Sequence, residues 1–143
     1  MKYGIVFLAS LLLRKKSTQM KIRIQGNSIR FRLKQKEVRN FQQLGEIKEE
    51  ICFGNSSSEK LSFVLKTALS EKFEIVWKDN MITVLVPASL STRWTDTDLV
   101  GIEEEVHTSS KQVVKVLIEK DFKCLDGVGV DNEDAYPNPN EYC

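Results

Sequence analysis

The strongest constraint on the fold is a strict alternation of apolar and polar residues around a Gly-Asn pair. The segments MKIRIQ and SIRFRL flank Gly26-Asn27, and in both of them every second residue is apolar. Successive side chains of a β-strand point to opposite faces, and Gly-Asn is typical of a tight turn between antiparallel strands. The pattern therefore predicts a β-hairpin with one buried apolar face and one basic face, formed by Lys21, Arg23, Arg30, Arg32 and Lys34.

The rest of the chain reads as further short elements. Apolar residues recur every three positions from Val38 to Leu44, and Gly45 follows, which predicts a short helix after the hairpin. Residues 89–94 fit one more helical turn, and Asp79-Asn80 fits a second hairpin turn. Period-two or continuous apolar runs predict further strands near residues 46–53, 61–65, 73–77, 82–86, 99–106 and 113–119.

These elements indicate an α+β fold with about eight short strands and one or two short helices. Because open strand edges favour unwanted pairing, we expect a mostly antiparallel, strongly curled or barrel-like sheet. The sequence shows no convincing internal repeat. Trp77 and Cys52 are expected in the core, and Trp94 in the core or at its rim.

The 143 residues are enough for one domain. An apolar run from Tyr3 to Leu13 is short for a membrane span, and the basic residues directly after it are atypical of a signal peptide. We therefore interpret residues 1–19 as an extension upstream of a start at Met20, with a signal or anchor segment as the alternative. A single domain is predicted over residues 20–123, followed by an acidic C-terminal tail over residues 124–143.

Composition excludes several classes of function. A single His and three widely spaced Cys exclude multi-His metal sites and a disulfide framework, and the cysteine usage is typical of a cytoplasmic protein. No phosphate-binding loop, dinucleotide fingerprint or common hydrolase motif is present, so no cofactor is expected. The net charge of +1 becomes negative without residues 1–19, which argues against general nucleic-acid binding. No apolar run is long enough for a stable membrane span.

The basic face of the hairpin is the main candidate site, because Lys and Arg bind phosphate through charge-assisted hydrogen bonds. Two alternatives stay open: the face is simply solvated, or it pairs with Glu103, Glu105 and the acidic tail. Triphosphate-binding tunnel folds place charges on strands in a similar way. This chain lacks their initial ExExK signature, so the analogy concerns architecture alone.

Asp96 and Asp98 are candidate ligands of Mg²⁺ or Ca²⁺, because two carboxylates two residues apart leave one face of an extended segment. The alternative is a loop in which both accept hydrogen bonds from nearby amides. His107, Cys124 and Cys143 could supply three zinc ligands, with Asp126 as the fourth, although structural zinc usually takes closely spaced Cys pairs.

Three segments together resemble a family of small, uncharacterised bacterial proteins known only as a domain of unknown function. They are MKIRIQGNSIRFRLKQKEV from Met20, the pair Arg93-Trp94, and IEKDFKCL followed by EDAYPNP. The resemblance covers about residues 20–143 and implies Met20 as the usual start. It implies no activity, cofactor or catalytic residue.

We therefore predict a cytoplasmic domain that acts by binding or interaction rather than by catalysis, with a small phosphorylated ligand or a protein as its partner. The alternative is a phosphate-handling, metal-dependent enzyme or sensor. In that alternative the guanidinium groups of Arg23, Arg30 and Arg32 converge in a pocket whose wall also carries Asp96, Asp98, Glu103 or Glu105. A flat, open basic face would contradict it.

Overall fold

The computed structural model describes residues 20–123 and 134–139, and the predicted zinc ligands Cys124, Asp126 and Cys143 lie outside them. The α+β prediction is confirmed within these ranges, and a short 3-10 turn at Ser57–Glu59 joins the third and fourth strands. The elements in order are β1 (Lys21–Gln25), β2 (Ser28–Leu33), α1 (Gln35–Leu44), β3 (Glu46–Cys52), β4 (Lys60–Ala68), β5 (Glu74–Lys78), β6 (Met81–Pro87), α2 (Ala88–Asp96), β7 (Gly101–His107) and β8 (Val113–Lys120).

The first hairpin forms as the alternation predicts. Gly26 adopts a φ of 58°, the left-handed conformation that a tight hairpin turn requires. Lys21 pairs with Arg32 and Arg23 with Arg30, and paired residues of antiparallel strands share one face of the sheet. The charged residues of β1 and β2 therefore lie together on one face, while Phe31 of β2 is fully buried on the other.

The strands form two four-stranded sheets, which corrects the prediction of one curled or barrel-like sheet. The first sheet has the order β1-β2-β8-β7, the second has the order β3-β4-β6-β5, and neither closes into a barrel. Both are mixed rather than antiparallel, because their central pairs, β2 with β8 and β4 with β6, run parallel. Alternation shows which side chains face the core, but it does not show which distant strand lies alongside.

The two halves of the chain repeat one order of elements: hairpin, helix, hairpin. A shift of 53 positions takes Lys21–Gln25 of β1 onto Glu74–Lys78 of β5, and it takes Phe41 of α1 onto Trp94 of α2. The strand order repeats as well. If β1 to β4 are replaced by their equivalents β5 to β8, and the reverse, the order of the first sheet becomes the order of the second. The fold is therefore an internal two-fold repeat. It is not evident from the sequence, because the two halves share mainly their apolar pattern and their turns.

The core lies between the sheets and is closed at one end by the helices. Phe41 and Trp94, the equivalent residues of the repeat, pack edge to face with ring centroids 6.2 Å apart. The indole Nε1 of Trp94 also donates a hydrogen bond of 3.1 Å to the carbonyl of Val100. α2 is longer than the single predicted turn, and the burial of Trp94 confirms its place in the core. Neither helix in the described ranges is long and apolar enough to cross a membrane.

Two expectations about the core are wrong. Trp77 points towards the inner face, as predicted, but 79% of it is exposed because it lies at the end of the edge strand β5. Cys52 is exposed at the last position of the edge strand β3. Both residues lie near the end of the sandwich opposite the helices, where an edge strand has neighbours on one side only.

Residues 134–139, which belong to the predicted acidic tail, pack against the end of β8. The amide of Tyr136 donates to the carbonyl of Asp121 at 2.7 Å, and the amide of Lys123 donates to the carbonyl of Tyr136 at 2.7 Å. Ala135 is buried. The predicted boundaries at residues 19 and 124 stay predictions, because residues 1–19 and 124–133 lie outside the described ranges.

Candidate functional site

The basic face lies on the outer face of the first sheet. Lys21 and Arg23 reach it from β1, and Arg30 and Arg32 reach it from β2. Lys34 lies one residue beyond β2, at the N-cap of α1. The side chains of Arg30 and Arg32 are 32% and 43% exposed, so the face is open to solvent rather than enclosed.

The neighbouring strand β8 adds one carboxylate that the sequence did not identify. Arg32 pairs with Glu119 in the parallel register of β2 and β8. Glu119 Oε2 accepts a hydrogen bond from Arg30 Nε at 2.8 Å, and it lies 2.7 Å from Arg30 Nη2 and 3.7 Å from Arg32 Nε. One carboxylate therefore holds both guanidinium groups in place. Only the knowledge that β2 lies beside β8 could have revealed this contact.

Glu103, which the sequence placed against the hairpin, pairs with β8 instead. Glu103 of β7 lies 2.5 Å from Lys115 Nζ of β8, and it raises the pKa of that ammonium group. Lys21 Nζ lies 3.0 Å from the buried carboxylate of Asp121. Arg23 forms no ion pair with any residue in the described ranges. Lys34, at the N-cap of α1, also has none among these residues, but Arg23 is the more exposed of the two, and it lies on the sheet itself.

A small hollow lies beside Arg23. Its volume is about 180 Å³, enough for a group of phosphate or pyrophosphate size. Among the described residues, its lining contains three basic side chains and no carboxylate. We call it the basic hollow, and it is lined by Arg23, Gln25, Ser28, Arg30, Lys115 and Leu117.

Asp96 and Asp98, the two candidate metal ligands, line neither the basic hollow nor the neighbouring cavity on this face. Asp96, the last residue of α2, accepts a hydrogen bond from the side-chain amide of Gln42 in α1. Arg30 and Arg32 also line a cavity of about 360 Å³, but neither Arg23, Asp96 nor Asp98 contributes to its wall. No group of three His, Cys, Asp or Glu in the described ranges could hold a metal ion. Mg²⁺ at Asp96 and Asp98 stays a prediction that the fold does not strengthen.

A buried carboxyl group, Glu37, lies close to this region and was missed by the sequence analysis. Its Oε2 accepts a 2.6 Å hydrogen bond from the amide of Lys34, which is the glutamate half of a capping box at the start of α1. Its Oε1 is buried without a hydrogen-bond partner among the described residues. Burial raises the pKa of Glu37 to about 7, and the nearby Glu49 and Asp121 act in the same direction. The spacing of Glu three residues after a helix start was the available signal.

A large cavity lies between β5, an edge strand of the second sheet, and β7, an edge strand of the first. It has a volume of about 940 Å³, and its lining includes Phe73, Ile75 and Trp77 from the β5 side and Val106 and His107 from β7. It separates the edge of β5 from the edge of β7. The two sheets therefore form no hydrogen-bonded strand pair here, and β5 is paired on one side only, with β6.

Comparison with known proteins agrees with the resemblance noted in the sequence. Searches of curated proteins and of solved structures found no match. One family, described as "Family of unknown function (DUF7009)", matches residues 20–140, which include both repeats and the segment 134–139. The chain therefore belongs to DUF7009, a family of unknown function.

Proposed function

We propose that this domain acts by binding, and that it binds a small anion such as a phosphate or diphosphate group in the basic hollow. The supporting observation is the lining of the hollow, where Arg23, Arg30 and Lys115 meet and no carboxylate is among the described lining residues. Guanidinium groups bind phosphate through paired, charge-assisted hydrogen bonds, which makes Arg the appropriate residue for this ligand.

The three cations have different roles in this proposal. Arg30 is already oriented by Glu119, so little side-chain entropy is lost when its remaining N–H groups contact the anion. Arg23 has no ion pair to give up, and its guanidinium can turn towards the ligand. Ser28 donates its hydroxyl hydrogen to the carbonyl of Gln25 at 2.6 Å. The donors that remain for the anion are therefore the three basic side chains of the hollow and the side-chain amide of Gln25.

Glu119 and Glu103 partly neutralise this face, and the hollow is open to solvent. Both properties reduce the Coulomb attraction, so we expect modest affinity that falls as the salt concentration rises. The cytoplasm is the location that fits this proposal, because phosphorylated small molecules are abundant there and an exposed thiol such as Cys52 stays reduced.

Binding is favoured over the metal-dependent alternative for a geometric reason. Within the described part of the chain, the lining of the basic hollow includes no carboxylate, His or Cys. Its residues can hold and orient an anion, but they supply no general base and no metal ligand. A reaction at this hollow would need both groups from elsewhere.

A binding experiment tests the proposal. Phosphate, pyrophosphate and triphosphate, each with and without Mg²⁺, are titrated into the full chain and followed by calorimetry and thermal unfolding. A ligand at 100 times its dissociation constant adds about 2.7 kcal/mol to the free energy of unfolding. We expect Arg23→Gln to weaken binding about tenfold, because one charge-assisted hydrogen bond is lost.

The matched control is Lys66→Gln, which removes the same charge from an exposed position on β4 of the second sheet. This variant should bind as the unchanged protein does. Equal loss of affinity in both variants would indicate a general charge effect. Absence of binding to all three anions would refute the proposal.

A further inference from the structure

The open edge of β5 presents unpaired backbone groups. Lys78 pairs with Met81 across the two-residue turn Asp79-Asn80, whose φ angles are 51° and 59°. Such a turn is closed by a hydrogen-bonded pair, and hydrogen-bonded pairs alternate along antiparallel strands. The N–H and C=O groups of Ile75 and Trp77 therefore point away from β6. No other backbone hydrogen bond engages them in the described part of the chain.

The side chains of this edge are unusually apolar for an exposed strand. Val76 is 44% exposed on the outer face, and Trp77 is 79% exposed on the inner face. Proteins usually protect an open edge with charged residues, bulges or proline. β5 carries charge only at its two ends, Glu74 and Lys78, and these two charges are opposite.

We propose that β5 pairs antiparallel with β5 of a second copy of this chain, with Val76 at the centre of the pairing. In that register Ile75 lies opposite Trp77 of the second copy, so the unpaired N–H and C=O groups of both strands form hydrogen bonds. Glu74 lies opposite Lys78 of the second copy, and symmetry forms this ion pair twice. The exposed indole of Trp77 packs on the apolar side chain of Ile75.

Like charges would disfavour the same self-pairing at the other three edge strands of the two sheets. Pairing of β1 with itself would place Arg23 opposite Arg23, and pairing of β3 would place Glu49 opposite Glu49. Pairing of β7 would place Glu104 opposite Glu104 and Glu103 opposite Glu105. Like charges directly opposite destabilise paired strands. Self-complementarity is thus specific to β5 among the four edges.

The internal repeat offers a natural comparison for this surface. β1 is the structural equivalent of β5, and the position of Val76 in β5 is occupied by Arg23 in β1. The fold therefore accepts an arginine at this position of the edge strand. The surface lies on the second sheet, whereas the basic hollow lies on the first, so the two proposals are independent.

Charge reversal tests the pairing. The oligomeric state of the full chain is measured by sedimentation and light scattering from micromolar to millimolar concentration, where we expect a dimer that dissociates on dilution. Glu74→Lys and Lys78→Glu each place like charges opposite each other twice, and each should raise the dissociation constant about tenfold or more. The double variant Glu74→Lys/Lys78→Glu restores opposite charges and should restore the dimer.

Val76→Arg, which copies β1, should give a monomer whose circular dichroism and thermal unfolding match those of the unchanged protein at a concentration where both are monomeric. Hydrogen exchange gives a second measurement, because the amides of Ile75 and Trp77 should be protected in the unchanged protein and exposed in this variant. A protein that is monomeric at millimolar concentration would refute the proposal. A dimer that survives both single reversals, or that the double variant fails to restore, would also refute it.

Discussion

Replacing Trp94 by Ala is expected to lower the free energy of unfolding by about 3–5 kcal/mol, the largest effect of any single substitution considered for this protein. Trp94 is fully buried, packs against Phe41 and donates a hydrogen bond to the carbonyl of Val100. The substitution leaves a cavity where the two halves of the repeat meet, and it leaves the carbonyl without its donor. Urea unfolding followed by circular dichroism measures the loss.

Trp77→Ala is the matched control, because it removes the same side chain from an exposed position of the second half. We expect it to change the free energy of unfolding by at most about 0.5 kcal/mol, measured at a concentration where the chain is monomeric. Phe41→Ala completes a double-mutant cycle, in which the edge-to-face contact should appear as a coupling of about 1 kcal/mol. Equal losses in Trp94→Ala and Trp77→Ala would contradict the described core.

A second large effect is a fall in stability as the pH rises from about 4.5 to 7, caused by Glu37. Burial raises the pKa of Glu37 from 4.5 to about 7 in the folded chain. The folded state therefore holds a proton in this range that the unfolded state has lost, and the stabilisation disappears as the pH passes the folded pKa. At 1.36 kcal/mol per pKa unit, the loss amounts to about 3 kcal/mol.

Glu37→Gln isolates this contribution, because Gln can accept the hydrogen bond of the capping box but does not ionise. Other carboxyl groups also titrate: burial raises the pKa of Glu49, whereas Lys48 lowers the pKa of Glu50. The difference between the variant and the unchanged protein removes their effects. We expect this difference to be small near pH 4.5 and to favour the variant by about 3 kcal/mol at pH 8. Parallel profiles across this range would show that Glu37 ionises normally.

Much of the local structure follows from the order of residues, because each signal acts over a few positions. The alternation around Gly26-Asn27 predicts the first hairpin, and Asp79-Asn80 predicts the turn between β5 and β6. The three-residue spacing up to Gly45 predicts α1, whose C-cap has the left-handed φ of 71°. These features depend on backbone preferences and on one buried face, and neighbouring residues determine both.

The candidate site was predicted only in part, because some of its contacts join residues that are distant in the chain. The alternation placed Arg30 and Arg32 on one face, but their partner Glu119 is distant in the chain and reaches them through β8. The local pattern of β5 placed Trp77 on the inner face, yet exposure depends on whether a second sheet covers that position. The burial of Glu37 depends on the packing around α1, which the local sequence does not show.

The order of amino acids alone determined the strands, the helices, the hairpin turns and the faces on which the charged residues lie. Tertiary structure decided the parallel central pairs, the division into two open sheets, the two-fold relation of the halves and the neighbours of the basic hollow. The physical reason is the separation along the chain of the residues that interact. Alternation and turn preferences act between residues close in the chain, whereas parallel pairing and ion pairs such as Arg30 with Glu119 join segments that only the folded core brings together.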